Sequence, residues 1–569
     1  MKKLNNSQVY SQTLDHLGLV SATIHDLGLI ERIDALLPID LNRGAKLTIG
    51  QRIAAMILTG LGFIDTRLYM FSEFLQDKPL DRLIGEGVKA EYYTDDALGR
   101  ALDKIHEFGT ELFFGDLAYQ IALDEGFLGN FIHADTSSLS LYGDYNYSPK
   151  ELAAMPKPNA ESLPTPEVTY GYSKAHRPDL KQVILSMATT GAAGFPIWME
   201  VHSGNASDQK TLIETALRMK AFSEEMDKES ADFLYVADSA MYSSCLKQSH
   251  CLLWLSRVPE RSNDTKYCLE LPEEYFAWED LDNGYKVCPF GMKSASVKQY
   301  WSMVYSEQAH HREMITFERN LNTSKDKAVK DLWHLTCKDF GCEEDAKKSA
   351  LKLEKEWKYY ALKFEIDKIK KHQKAGRPRV GAKSETMIYR VKGEVIEDEN
   401  AIILMKRRKG RFILATNDIK EEKISINNLL SGYKKQSMTE SGFKFIKDNT
   451  FQVSSVYLEK PGRISALMSV MSLCLMVYNV AQYRLREALK ANKETVPDQK
   501  GNQTNHPTLK RVFLLFIGIQ LLKIHTPDFC QTMVINLNEI SKSIIRLFGV
   551  KAMEIYDLNG QFGLKTNKK

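Results

Sequence analysis

The chain has 569 residues, 43% hydrophobic and 26% charged, a balance that fits several folded domains and excludes a disordered or low-complexity chain. Its formal net charge is only +3, so affinity for a nucleic acid has to come from local basic clusters rather than the overall field. The eight cysteines are scattered without a Cys-x2-Cys pair, which argues against a zinc ribbon or redox motif and fits a reducing cytosol. No apolar signal core follows the basic Met1-Lys2-Lys3, and the apolar stretches near 465–480 and 512–523 are interrupted or too short for a span. They are read as buried helices of a soluble protein without a membrane partner.

Residues 1–126 read as a helical N-terminal domain. Thr48 and Thr94 each precede an amphipathic run, and Asp95 and Asp96 in a first turn suit the helix dipole. From residue 127 the texture is α/β. Asn130-Phe-Ile-His-Ala-Asp135 is a short apolar run ending on an acid. Runs over 181–189 and 195–201 flank Thr-Gly-Ala-Ala-Gly, which predicts a hairpin. Ser207 opens a helix to about Met226, Asp232-Phe-Leu-Tyr-Val-Ala-Asp238 is a second strand ending on an acid, and Cys251–Val258 is a further strand. The alternation predicts a mixed sheet.

Residues 260–405 read as an α+β insertion, with strand-like pieces at 298–305 and 387–391, a long charged helix over 343–371 and a basic linker at 374–383. The core resumes over 406–490, with a strand at 411–416, a helix across 433–447 and an apolar helix over 464–485. Residues 491–569 read as a helical C-terminal tail.

Asp135 and Asp238 each end a strand, where loops gather into sites in α/β folds. Carboxylate oxygens are the donors hard cations prefer. Each acid alone serves equally well as a turn residue. On one helix at about 100° per residue, Tyr433, Gln436, Glu440 and Lys447 fall within roughly 60° of surface. That stripe suits a metal-bound phosphate, with Glu440 on the metal and Tyr433 and Lys447 on phosphate oxygens. Spacing alone favours an exposed polar face. Lys174, His176 and Arg177 form a basic loop beside the expected rim and are read as DNA contacts.

Here the sequence resembles the DDE transposases of bacterial insertion sequences, the group with a Tyr-x2-Arg-x3-Glu-x6-Lys signature. Tyr433, Glu440 and Lys447 match the spacing, and Gln436 departs from it. His-Ala-Asp135-Thr-Ser-Ser, Tyr170-Gly-Tyr-Ser-Lys, Gly204-Asn-Ala-Ser-Asp208 and Val-Ala-Asp238-Ser-Ala-Met-Tyr follow the family's landmarks in order. The resemblance implies a ribonuclease-H-like core over 127–259 and 406–490. Asp135, Asp238 and Glu440 would hold two magnesium or manganese ions, with an insertion before Glu440. It implies cleavage and strand transfer at the ends of an insertion sequence. The expected partners are double-stranded DNA (terminal inverted repeats and target) and a second copy or larger assembly, in the bacterial cytoplasm at the nucleoid. Gln436 carries no charge where the family has Arg, which weakens one expected phosphate contact. Two alternatives are a nuclease or resolvase on the same core and a non-catalytic DNA-binding descendant.

Overall fold

The computed structural model describes residues 8–39, 44–62, 71–148, 150–151, 155–172, 177–226, 233–237, 239, 242, 251–293, 297–372, 385–421, 424–425, 428–448, 458–526, 529–560 and 565–566. The fold is mixed α/β. The chain divides into two compact units, Met1–Leu255 with Ser431–Lys569, and Ser256–Leu430.

In the first unit, a strand β1 (Gln8–Thr13) leads into helices α1 (Leu17–Asp26), α2 (Leu29–Leu36), α3 (Ile49–Leu61), α4 (Asp95–Phe108) and α5 (Thr110–Asp124). The predicted caps hold. Thr48 accepts from the Gln51 N–H, and the Gln51 side chain returns a bond to the Thr48 N–H, closing a capping box on α3. Thr94 caps α4 through the Ala97 N–H.

The sheet that follows contains β2 (Phe131–Leu141), β3 (Lys181–Thr190), β4 (Phe195–Ser203), β5 (Leu234–Ala237) and the start of β6 (Leu253–Arg257), in spatial order β4-β3-β2-β5-β6. β2 and β4 run antiparallel to β3, whereas β5 runs parallel to β2, so the sheet is mixed. β3 is buried along nearly its whole length, as its Val-Ile-Leu-Ser-Met-Ala run requires of a strand covered on both faces. α6 (Asp208–Met226) packs on the sheet, where its Phe222 meets Trp198 of β4 with ring centroids 4.9 Å apart. Gly115 lets α5 reach the same tryptophan, because a Cβ there would lie 2.3 Å from Trp198 Cζ3.

After the second unit the chain returns as α7 (Ser437–Ile446) and α8 (Pro461–Asn492). α8 is long and apolar enough to cross a membrane, but 83% of its most apolar window is buried inside this unit, as expected of a core helix. Arg463 at its start grips Asp103 of α4 through two bonds of 2.7 Å each, tying the helical N-terminal region to the core.

Within the second unit, strands Arg411–Thr416, Lys298–Ser306, Tyr285–Lys293 and Glu279–Leu281 pair antiparallel in that order. A hairpin of Tyr360–His372 with Glu385–Glu397 packs on helices Glu307–Thr336 and Glu343–Glu356.

Four sequence expectations change. Asp135, read as the end of a strand, lies inside β2, which runs on to Leu141. The charged helix expected over 343–371 stops at Glu356. Beyond it, Tyr360, Leu362, Phe364 and Ile366 alternate at period two and pack toward the Leu332–Ala346–Ala350 and Phe317–Tyr359 clusters, so the stretch is a strand. The C-terminal tail is not all helical. Gln520–His525 and Phe529–Ile535 are strands, and the former pairs with β1 across the length of the chain. Finally, the helix expected across 433–447 is two helices, Leu429–Lys434 and α7, separated by a turn at Lys435 and Gln436.

His16, just before α1, stacks on Phe513 at 4.1 Å with its Nε2 2.9 Å from the Leu61 carbonyl. Burial pushes its imidazole from 6.5 down to about 4, against the opposing pull of that carbonyl. The folded protein therefore binds fewer protons here than the unfolded chain. The His16 contribution to stability is full above pH 6.5 and is lost as pH falls from 6.5 toward 4. Thermal melts over that window are expected to fall more steeply in the native protein than in His16→Gln; parallel profiles would contradict this.

Candidate active site

The register of the first unit's sheet decides where the candidate residues face. Asp135 on β2 lies opposite Met187 of β3, and His133 lies opposite Thr189. Side chains alternate along strands and directly opposed residues share a face, so His133, Asp135, Met187 and Thr189 all project from one face. α7 lies on that face. Its Thr439 hydroxyl donates to the His133 carbonyl at 3.1 Å and meets the Thr189 hydroxyl at 2.6 Å. One turn on, Gly442 leaves only enough room for Met187 Cε, which would stand 3.0 Å from a Cβ there, and for Leu475 of α8 at 2.9 Å. Gly194, in the β3–β4 turn, comes against Met438 at 3.2 Å by the same measure. α7 is thus pinned by its buried Thr439 and Gly442, while Glu440 stays exposed.

Asp135 is half-buried, and its Oδ1 accepts the Thr136 N–H at 2.7 Å. Glu440 and Asp135 therefore belong to elements joined within two residues of each, at Thr439 and His133. β5 adds the neighbouring strand, with Val236 in parallel register with His133. Asp238 lies outside the described residues, as do Lys174 and His176. Among the described residues no cluster of three His, Cys, Asp or Glu side chains forms a metal site.

The signature residues do not form one exposed stripe. Gln436 is buried at the turn before α7, with its carbonyl accepting the Thr439 N–H at 3.0 Å and the Glu440 N–H at 3.3 Å. It shapes the entry of the helix rather than lying open on its face. Tyr433 is half-buried on the preceding helix, and Lys447 is exposed at the end of α7. Arg177 is exposed and grips Asp179 through two bonds of 2.8 and 2.6 Å, with its guanidinium 6.0 Å from the Tyr142 ring. The paired carboxylate raises its pKa.

The sequence reading passed over His133 and Thr439. His133 is buried, and burial together with the Lys435 ammonium holds its imidazole down to about 4. It therefore stays neutral beside Asp135. The available signal was a small polar residue immediately before Glu440, about 100° round the helix from it.

Residues 9–119 match a family model described as a domain of unknown function (DUF4277). No curated protein matches the chain. Among solved structures, the chain is similar to a piggyBac transposase in a synaptic complex with hairpin DNA, at 9% sequence identity and a TM-score of 0.34, over 90% of this chain and 82% of that one.

Proposed function

We propose that this protein is a DNA transposase that cuts and joins phosphodiester bonds at the ends of an insertion sequence, with Asp135, Asp238 and Glu440 as one carboxylate site. The observation that carries the reading is the Thr439 clamp, which holds the helix bearing Glu440 on the sheet face toward which Asp135 projects. Asp238 joins the site on the resemblance of Val-Ala-Asp238-Ser-Ala-Met-Tyr to the family's second-acid segment. The strand order β4-β3-β2-β5-β6, with three antiparallel strands followed by one parallel to the first, supports a ribonuclease-H-like core.

The donor set is all carboxylate oxygen, which suits magnesium or manganese rather than a softer metal. Two such ions, when bound, would lower the pKa of a coordinated hydroxyl and offset charge on the leaving oxygen. The chain's own residues do the holding and the positioning. The Thr136 N–H orients one Asp135 oxygen, and Thr439 fixes the approach of α7. Lys447 supplies charge toward the DNA backbone. Duplex DNA in the bacterial cytoplasm, carrying the inverted repeats of the element, would be the substrate, held by two or more copies of the chain.

The test is cleavage and joining of duplex DNA carrying short inverted repeats found beside the reading frame. Nicking at those ends followed by covalent joining to a second duplex supports a transposase, cleavage without joining favours a nuclease or resolvase, and binding alone overturns the catalytic reading.

Thr439→Val offers a second check. It leaves the His133 carbonyl and Thr189 hydroxyl without that partner, which costs about 1–3 kcal/mol. Strand transfer is expected to fall well below that of Thr439→Ser, which keeps a hydroxyl, while end binding stays near native in both. Equal transfer by the two variants would remove the clamp from the mechanism.

A further inference from the structure

The second unit contains a recess of about 460 Å³ lined by Arg312, Thr316, Phe317, Lys358, Tyr359 and Lys409, among others. Its cations arrive from three separate places: Arg312 from helix Glu307–Thr336, Lys358 from the connector before strand Tyr360–His372, and Lys409 from the turn after helix Glu399–Arg407. Among the described residues none of the three has a carboxylate within salt-bridge distance. The one acid lining the recess, Glu313, instead accepts the Gly410 N–H at 3.2 Å. The floor is two buried rings, Phe317 and Tyr359, meeting edge to face at 5.4 Å. Lys409 Nζ stands 5.7 Å from the Phe317 centroid and Lys358 Nζ 5.1 Å from that of Tyr359, so the aromatic floor steadies the ammonium groups.

Three cations gathered around one acid leave the recess with a net positive charge, which an anion with several oxygens offsets. A phosphate offers such oxygens to one guanidinium and two ammonium groups at once. We infer that this recess is a phosphate-binding site. The inference does not depend on the carboxylate site, because none of its residues belongs to it. The ligand is a phosphodiester of a DNA backbone or a free phosphate compound, which share this chemistry.

The test uses the full chain and Lys358→Gln/Lys409→Gln, with Lys347→Gln/Lys348→Gln, at two exposed positions of the same unit, as control. Duplex DNA binding is measured by anisotropy over a range of salt, and pyrophosphate binding by calorimetry. A DNA phosphate in the recess predicts that the slope of log K against log salt becomes shallower by about 0.9 for each phosphate no longer neutralised, in the recess variant alone. Loss of pyrophosphate binding with an unchanged DNA slope supports the site and assigns it to a free phosphate compound. The inference is overturned if the control alters the slope equally, or if neither ligand responds. Should the half-buried Lys409 prove necessary for folding, Arg312→Gln/Lys358→Gln, at two exposed positions, carries the same test.

Discussion

Asp135→Asn, Asp238→Asn and Glu440→Gln are each expected to abolish cleavage and strand transfer while leaving binding of end DNA near native. An amide keeps the shape of the acid and loses the charge that holds a hard cation. Removing one ligand of a metal-dependent site is expected to reduce the rate by three orders of magnitude or more, roughly 4 kcal/mol in the barrier. Folding is not at risk for Glu440, which is exposed on α7, and is little affected at half-buried Asp135. Gel shift and cleavage on the same preparations separate the two effects. Near-native cleavage by any one variant would take that residue out of the site.

Arg218→Ala is expected to cause the largest loss of stability, about 3–5 kcal/mol. Glu200 on β4 is fully buried and gathers Arg218 Nε at 2.9 Å and Nη2 at 2.7 Å, Trp198 Nε1 at 3.0 Å and the Thr215 hydroxyl at 2.5 Å. His202 Nε2 stands 3.2 Å from the same carboxylate. Burial alone would raise the Glu200 pKa, but Arg218 and His202 override it and hold the carboxylate at about 2. This contribution is therefore present above pH 4.5 and is lost as pH falls from 4.5 toward 2. Without Arg218 the acid is buried and short of its main partner, so the acid-unfolding midpoint should also move to higher pH. Replacing both members by apolar residues, Glu200→Leu/Arg218→Met, should recover most of the loss, because the penalty lies in the stranded charge. Chemical denaturation at pH 7 measures each variant; a loss under about 1 kcal/mol for Arg218→Ala would contradict the account.

What the sequence disclosed and what it hid follow from the range of the interactions involved. The β3–β4 hairpin and the caps at Thr48 and Thr94 were legible because their signals lie within a few residues: glycines in a turn, or a hydroxyl three residues before an N–H. Asp135 was read as the end of a strand, whereas β2 runs on to Leu141, and the face it takes depends on its pairing with Met187. The Tyr433–Lys447 stripe followed ideal helical spacing and missed the turn at Gln436, because burial there is decided by the packing of α7 on the sheet. Pairing of Gln520–His525 with β1 joins opposite ends of the chain and leaves no local trace. The 343–371 stretch misled because Lys and Glu favour helix, whereas Tyr360, Leu362, Phe364 and Ile366 at alternate positions answer to a core supplied by other elements.

Exchanging the metal tests most directly whether Asp135 and Glu440 serve one site. Asp135→Cys and Glu440→Cys replace a hard oxygen with a thiolate, a poor ligand for magnesium that manganese accepts more readily. Strand transfer by both variants is expected to be absent in magnesium and to return in manganese, with the alanine variants inactive in both ions. If manganese restored neither cysteine variant, or restored the alanine variants equally well, the acids would not be metal ligands and the proposed site would be wrong.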